Sequence, residues 1–527
     1  MLLTNGRIHT MDAAGSIVDS LVIREGRVAF AGRRGDINTV PQEPTLDLAG
    51  RAVLPGLVDG HGHLMLLARA RLELNLATAG SEDEIARMVG AAASRLRPGE
   101  WITGRGWDQT RWPGQRFPSR ASLDRAAPGH PVALIRVDGH ATWASGEALT
   151  RAGITRHSSH PPGGVITKDA RGEPTGILID MAQEMIRGLI PVPSEERFDQ
   201  AVRDTIAECL AKGLTGAHEP GLDLSAIASY MRLIERGRFP FRVFAALSGK
   251  KAWGRYRAGA PETVGDGRLV VGAVKLWLDG ALGSRGAALH SPYCDDPGNT
   301  GLVLVPPEDV ERLAREVSAR GFHVWVHAIG DRANTMVLDV FERVRTAAGP
   351  PARLRVEHAQ ILRPADIPRF ARLGVVPSMQ PTHCTSDMRW AGERLGPERL
   401  AGAYAWRSLL DTGAYLAGGS DFPVEDANPF HGLQAAVTRR PLEGPGPGWQ
   451  PEQRMTRDEA VRSFTVWNAR SVGLEADQGL LEVGKRADLI ALSDDVFTCA
   501  EEEIARIKPT LTMVGGTVVA GGSPGSD

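Results

Sequence analysis

The sequence predicts an α/β protein: a (β/α)8 barrel, a small β-sandwich built from both chain ends, and an inserted cap. Three observations predict it. Eight apolar, turn-bounded runs alternate with helical stretches in one region of the chain, as a parallel sheet with crossover helices requires. Residues of metal-ligand type recur at the ends of those runs, where a barrel places its chemistry. Both termini share a texture of short β-type runs that no helix interrupts.

The first fifty residues contain Leu2-Leu3, Ser20-Leu21-Val22-Ile23 and Arg27-Val28-Ala29-Phe30-Ala31, broken by Gly and Asp turns. Related runs return in Ala487-Asp488-Leu489-Ile490-Ala491-Leu492 and from Leu511 to Val519. A few isolated strands are marginal in water, so the two ends are expected to share one core, 1–52 with 470–527.

The barrel is expected over 53–77 and 201–469. Its strands are Val53 to Gly60, Gly213 to His218, Phe241 to Leu247, Leu269 to Trp277, Phe322 to His327, Leu354 to His358, Val375 to Gln380 and Tyr415 to Asp421, with helices such as Glu308 to Arg320 and Asn334 to Ala347 between them. The gap between the first two strands is too long for one crossover and holds apolar runs of its own, such as Pro131 to Asp138. Residues 78–200 are therefore expected to form a cap over the barrel mouth, shaping a pocket and limiting water access. Trp101, Trp107 and Trp112 are candidates for an apolar lid, against the plainer reading of core packing.

Charge is nearly balanced, 61 Lys plus Arg against 63 Asp plus Glu. No net field favours nucleic acid or an anionic membrane, and a small-molecule substrate is the expected partner. Homo-oligomerisation is left open. Four cysteines, Cys209, Cys294, Cys384 and Cys499, form no Cys-x-x-Cys, so neither a disulfide framework nor a thiolate metal site is indicated. The reading is of a cytoplasmic protein without a leader or a membrane span.

His61-Gly62-His63 follows the first strand. Alternate strand residues point the same way, so the two imidazoles reach one point, which suits a transition metal. Asp59 is expected to orient one imidazole. His327, in Val324-Trp325-Val326-His327-Ala328, and His358, in Arg355-Val356-Glu357-His358-Ala359, end β-rich runs. Alone, either reads as a satisfied core histidine; together they read as ligands. Asp421, in Gly418-Gly419-Ser420-Asp421-Phe422-Pro423, is either a turn residue or a carboxylate that touches the metal and takes a proton from water.

Lys275 cannot bind a cation as an ammonium. It reads either as a barrel lysine paired with Asp279 or, carboxylated by carbon dioxide, as an anionic carbamate able to bridge two ions; burial would favour the free amine this needs. The donor set has imidazoles and hard oxygens without thiolate, which suits Zn²⁺, with Mn²⁺, Fe²⁺ or Ni²⁺ as alternatives and one or two ions bound. Metal chemistry of this kind leads to hydrolysis, with Asp421 passing the proton to the leaving group. Two other classes compete: a Schiff-base lyase using Lys275, and a non-catalytic binding protein on the same fold. The first leaves the histidines without a purpose, and the complete ligand set opposes the second.

The chain resembles the amidohydrolase superfamily, and within it the family 3 branch that includes YtcJ-like proteins and N-substituted formamide deformylase. The motifs run from Leu3-Thr4-Asn5-Gly6-Arg7-Ile8 through Leu54-Pro55-Gly56-Leu57-Val58-Asp59-Gly60-His61-Gly62-His63, Val274-Lys275-Leu276-Trp277-Leu278-Asp279-Gly280, His327-Ala328-Ile329-Gly330-Asp331 and Ser420-Asp421-Phe422-Pro423-Val424 to Gly484-Lys485-Arg486-Ala487-Asp488-Leu489. The resemblance implies hydrolysis of an amide or N-formyl-type C–N bond other than a peptide bond. It places His61, His63, Lys275, His327, His358 and Asp421 at ligand positions and implies N6-carboxylation of Lys275. Arg136 to Ser145 also resembles the branch, with Ser145 where Asn is usual. His140, Asp279 and Arg285 are candidates to contact substrate.

Overall fold

A computed structural model describes residues 1–37, 44–137, 139–191, 193–347, 353–442, 446 and 448–522; Asp138 of the Arg136 to Ser145 motif lies outside them. The chain forms two compact units, Met1–Met65 with Arg203–Asp527, and Leu66–Val202. The second unit starts at Leu66, within helix Leu64–Ala70.

Eight parallel strands follow one another in sequence order around the first unit: β1 Leu57–Asp59, β2 Leu214–Leu222, β3 Arg242–Ser248, β4 Leu269–Trp277, β5 His323–Ala328, β6 Leu354–His358, β7 Val376–Met379 and β8 Ala417–Gly418. Helices Pro307–Ser318 and Asp331–Ala347 flank β5, close to the spans the sequence periodicity predicts. The seam between β8 and β1 is closed by Gly60 N–H donating to Gly418 O at 2.8 Å. Asn468 reinforces it, its amide donating to Val58 O at 2.7 Å and Gly418 O at 2.9 Å. This is a (β/α)8 barrel, with β1 to β8 neighbours in chain order.

Two expected strands are shorter than their apolar runs. The run from Val53 to Gly60 divides at Gly56, where a Cβ would meet Thr215 Oγ1 at 2.3 Å. Its first half, Ala52–Pro55, pairs with Arg7–His9 and Leu489–Leu492 in another sheet. After Gly418 the last run leaves the ladder, because Ser420 N–H turns to the Asp59 carboxylate and Asp421 N–H to His61 O.

The two chain ends build a four-stranded and a six-stranded sheet around one core containing Leu3, Ile8, Leu21, Val53, Leu489 and Met513. The barrel is fastened to these sheets by Arg242, whose guanidinium donates to both Asp488 oxygens at 2.6 and 3.0 Å. Asp488 lies in the Gly484 to Leu489 motif, which thereby acquires a structural role.

The second unit carries a six-stranded sheet from Leu74–Asn75 to Gly164–Lys168. Trp107 and Trp112 are buried in its core beside Trp143, and Trp101 is half-buried against a second cluster, so they pack the unit instead of forming a free lid. Ser145 caps helix Gly146–Arg151 by accepting Ala148 N–H, a task Asn performs equally well. All four cysteines are free thiols. Among the described residues, no helix is long and apolar enough to cross a membrane.

Candidate metal centre

The ends of β1, β5 and β6 and the turn after β8 bring together side chains that are hundreds of residues apart in sequence. Ligand atoms of His61, His358 and Asp421 all lie within 4.8 Å of one another, and all three residues are buried. His63 joins through Nε2, 3.1 Å from Asp421 Oδ1, while His61 Nε2 stands 3.6 Å from the same oxygen. The His327 ring is 4.6 Å from that of His358, which is 4.8 Å from that of His61.

Each inner imidazole is held by its other ring nitrogen. His61 Nδ1 is bound to Glu357 Oε2, and His358 Nδ1 meets Gln380 Oε1 at 2.8 Å. Such contacts fix tautomer and ring orientation at metal sites and leave Nε2 as the donor. Glu357 is itself held by Arg355, whose guanidinium also donates to the Ser378 hydroxyl at 2.8 Å and stacks on Trp325. Asp59 plays a different part from the one expected. It accepts the main-chain N–H of His61 at 2.9 Å, not the imidazole, and it binds the Ser420 hydroxyl at 2.7 Å. Gly419 makes this approach feasible, since a Cβ there would meet His61 N at 2.5 Å and Asp59 Oδ1 at 2.7 Å.

His358 and Asp421 have φ of 73° and 61°. Non-glycine residues there cost about 1–3 kcal/mol each and persist where the surroundings over-determine them, a pattern that clusters at functional sites. Here the Asp421 N–H is pinned to His61 O at 2.7 Å.

Electrostatics favour the ligand forms. Burial, with the charge of Lys275, pushes His61 well below its usual range and His327 down to about 3; burial and the neighbouring histidines do the same for His358. All three are thereby shifted toward the neutral imidazole, the form that binds a cation. Burial pushes the Asp421 carboxyl up, but His61 and the hydrogen bond from His63 outweigh it and hold the group below the usual carboxylate range. Burial also brings the Lys275 amine down to about 8, against the pull of Glu357 and Asp421.

Lys275 is buried on β4 with its Nζ 5.7 Å from the Trp277 ring. Pairing with Asp279 is not what the structure shows. The buried Asp279 carboxylate accepts main-chain N–H groups from Ala288, Ile329 and Gly330 at 2.8–3.0 Å and stands 3.6 Å from His327 Nε2, so it organises the loop beneath that histidine rather than facing outward. Arg285 is engaged by Asp295 at 2.9 Å on an outer loop. His140 is exposed in the second unit, with Nδ1 2.8 Å from Asp180 Oδ1.

The residues present fit a divalent cation. His327 Nε2 is buried without a hydrogen-bond partner among the described residues, an arrangement costly for a polar nitrogen unless another donor–acceptor relation completes it. The converging donors are nitrogens and carboxylate oxygens, and no cysteine joins them among the described residues.

A further histidine belongs to this cluster. His383, on the short helix Pro381–Asp387 after β7, stacks on His358 with ring centroids 6.1 Å apart and places Nε2 3.8 Å from Asp421 Oδ2. Sequence reasoning passed over it because it lies three residues beyond the Val375 to Gln380 run. The available signal was a histidine in the first helical turn after a barrel strand. Glu357 and Gln380, the orienting partners, are likewise visible only in three dimensions.

A family model described as "Amidohydrolase family" matches residues 45–520. The chain belongs to the amidohydrolase family. Among curated relatives, it is 34% identical to the putative amidohydrolase YtcJ of Bacillus subtilis (strain 168) over 523 residues, covering 98% of both chains. It is 29% identical to the N-substituted formamide deformylase of Arthrobacter pascens over 536 residues, again covering 98% of both. A solved structure of an uncharacterized metal-dependent hydrolase from Pyrococcus horikoshii superposes with a TM-score of 0.79 at 29% identity, over 95% of this chain and 98% of that one. As an amidohydrolase, the protein is a hydrolase whose histidines and Asp421 converge at the C-terminal ends of barrel strands.

Proposed function

We propose that this amidohydrolase is metal-dependent and cleaves an amide or N-formyl-type C–N bond of a small molecule, other than a peptide bond. The observation that carries the reading is the convergence of His61, His358 and Asp421 within 4.8 Å. The relatives support it: one is an N-substituted formamide deformylase, and a structural neighbour is a metal-dependent hydrolase.

His61, His63, His327, His358 and Asp421 would hold the cation, zinc by the donor set, and a carboxylated Lys275 would allow a second ion. The metal would supply the Lewis acidity that makes water nucleophilic near neutral pH. The chain's own residues do the rest. Asp421, kept ionised by its histidine neighbours, takes the proton from the attacking water and passes it to the leaving nitrogen. Glu357 and Gln380 hold the imidazoles so that this geometry does not drift between turnovers. A reducing cytoplasm suits the free thiols.

The test is elemental analysis of the purified protein, with hydrolysis assays on N-formyl amines, N-acyl amino acids, cyclic amides and lactones. Zinc near one or two equivalents, with chelator-sensitive cleavage of a C–N substrate, is the expected result. Full activity in protein stripped of metal would overturn it.

A further inference from the structure

We propose that His383 contacts the substrate, its Nε2 accepting an N–H from the leaving nitrogen, which makes the centre selective for amides that carry an N–H. The inference rests on the proposed C–N hydrolysis and deepens it.

Three observations carry it. His383 Nε2 is buried and has no hydrogen-bond partner among the described residues. The two oxygens of Asp421 are divided: Oδ1 faces His63 at 3.1 Å and His61 at 3.6 Å, whereas Oδ2 faces His383 Nε2 at 3.8 Å. That gap is too long for a direct hydrogen bond, and it is the kind of separation at which two polar groups share a third atom between them. Finally, the His383 side chain is 13% exposed, close to the 12% of Asp421 and the 14% of His327, so it borders the same partly open face of the cluster as the proposed proton carrier. The backbone supports its place, because His383 N–H donates to Gln380 O at 3.1 Å and Gln380 in turn holds His358.

The step balances as follows. Water loses a proton to Asp421 Oδ2 while its oxygen bonds to the carbonyl carbon. Asp421 returns that proton to nitrogen, the C–N bond breaks, and acid and amine leave. On protonation the nitrogen carries the delivered hydrogen and its original one. The first is shared with Asp421 Oδ2, and the second points to His383 Nε2. In this step His383 offers only the Nε2 lone pair and neither gains nor loses a proton.

The test uses matched pairs of substrates, the N-butyl and N-butyl-N-methyl derivatives of formamide, acetamide and benzamide. They are assayed with zinc-loaded wild type, His383→Leu and His383→Asn, and the zinc content of each protein is measured. In His383→Leu the preference in kcat/KM for the N–H member should fall by about 10- to 100-fold, the scale of one hydrogen bond to a charged group. His383→Asn, whose amide oxygen can accept, should restore part of it, and zinc content should stay at the wild-type level in both. Loss of zinc in His383→Leu would overturn the inference and make the residue a ligand. Equal losses on both members of a pair, or an unchanged preference, would overturn it in favour of packing. Wild type that, fully loaded, cleaves neither these amides nor the N-acyl amino acids and cyclic amides named above removes the C–N reading, and this inference falls with it.

Discussion

The carboxylate of Asp59 accepts the Ser420 hydroxyl at 2.7 Å and the Ser420 N–H at 3.1 Å, fastening the first barrel strand to the residue that precedes Asp421. The same carboxylate accepts His61 N–H, so one buried side chain sets the main chain of two proposed ligands. Asp59→Ala strands those donors in the interior at about 1–3 kcal/mol each. Its melting temperature should fall by several degrees and its metal content should drop, while Ser420→Ala, which removes one partner and leaves the carboxylate in place, should be milder. Calorimetry with elemental analysis checks this. An Asp59→Ala protein with unaltered melting and full metal would sink the assignment.

Direct removal of a donor should be more severe. His61→Ala and His327→Ala are expected to lose metal and activity together. Glu357→Gln leaves His61 in place but weakens its anchor, and orienting partners of this kind are typically worth about 10- to 100-fold in metal affinity. Competition with a fluorescent chelator measures the difference. Unchanged affinity in Glu357→Gln would show that the His61 ring is fixed by other means.

Much of this architecture was legible in the sequence because burial leaves a local pattern. A β-strand buried on both faces reads as an apolar run whatever surrounds it, so the barrel strands stand out in the sequence, and the histidines proposed as ligands stand out because they sit at the ends of those runs. What was hidden depends on distant partners. From sequence Asp59 reads as an imidazole partner, because its contact with Ser420 spans 361 positions. The run through Gly56 was read as one strand because only the position of Thr215 shows why it divides. Asp279 looked available to Lys275 or to substrate until the N–H groups of Ala288, Ile329 and Gly330 occupied it.

Lys275 separates two chemistries. Burial lowers its amine to about 8, so the uncharged form that reacts with carbon dioxide grows as pH rises through that value and is scarce at pH 6. Reconstitution of metal-free protein with zinc should therefore be faster and more complete at pH 8.5 than at pH 6.5, and faster with added bicarbonate. Lys275→Ala should lose occupancy of one ion, with partial rescue by short carboxylates. Borohydride reduction in the presence of carbonyl compounds should trap no adduct; a trapped adduct at Lys275 would favour the Schiff-base reading instead.

Asp421→Asn tests the proton carrier. The amide keeps one oxygen for the metal but cannot take up a proton, so most of the metal should remain while kcat falls by about 10²- to 10⁴-fold, the usual contribution of general acid–base catalysis. Steady-state rates beside elemental analysis decide it. Wild-type turnover in Asp421→Asn would remove this residue from the proton path.

The pair Arg242–Asp488 should behave oppositely, because it lies at the start of β3, away from the strand ends that carry the proposed ligands. In (β/α)8 barrels the C-terminal ends serve chemistry and the N-terminal ends serve stability. Both side chains are less than a tenth exposed, so Asp488→Ala leaves a guanidinium buried without its carboxylate and removes the acceptor of Gly515 N–H. Breaking a buried pair in this way costs about 3–5 kcal/mol, whereas replacing both members by apolar side chains is often neutral. Asp488→Ala should thus melt markedly earlier yet bind zinc and turn over normally at 25 °C, and Arg242→Leu/Asp488→Leu should recover much of the loss. Denaturant unfolding of the two variants measures this. If Asp488→Ala instead lost zinc at full stability, the motif Gly484 to Leu489 would have to act on the centre rather than on the joint between barrel and sandwich.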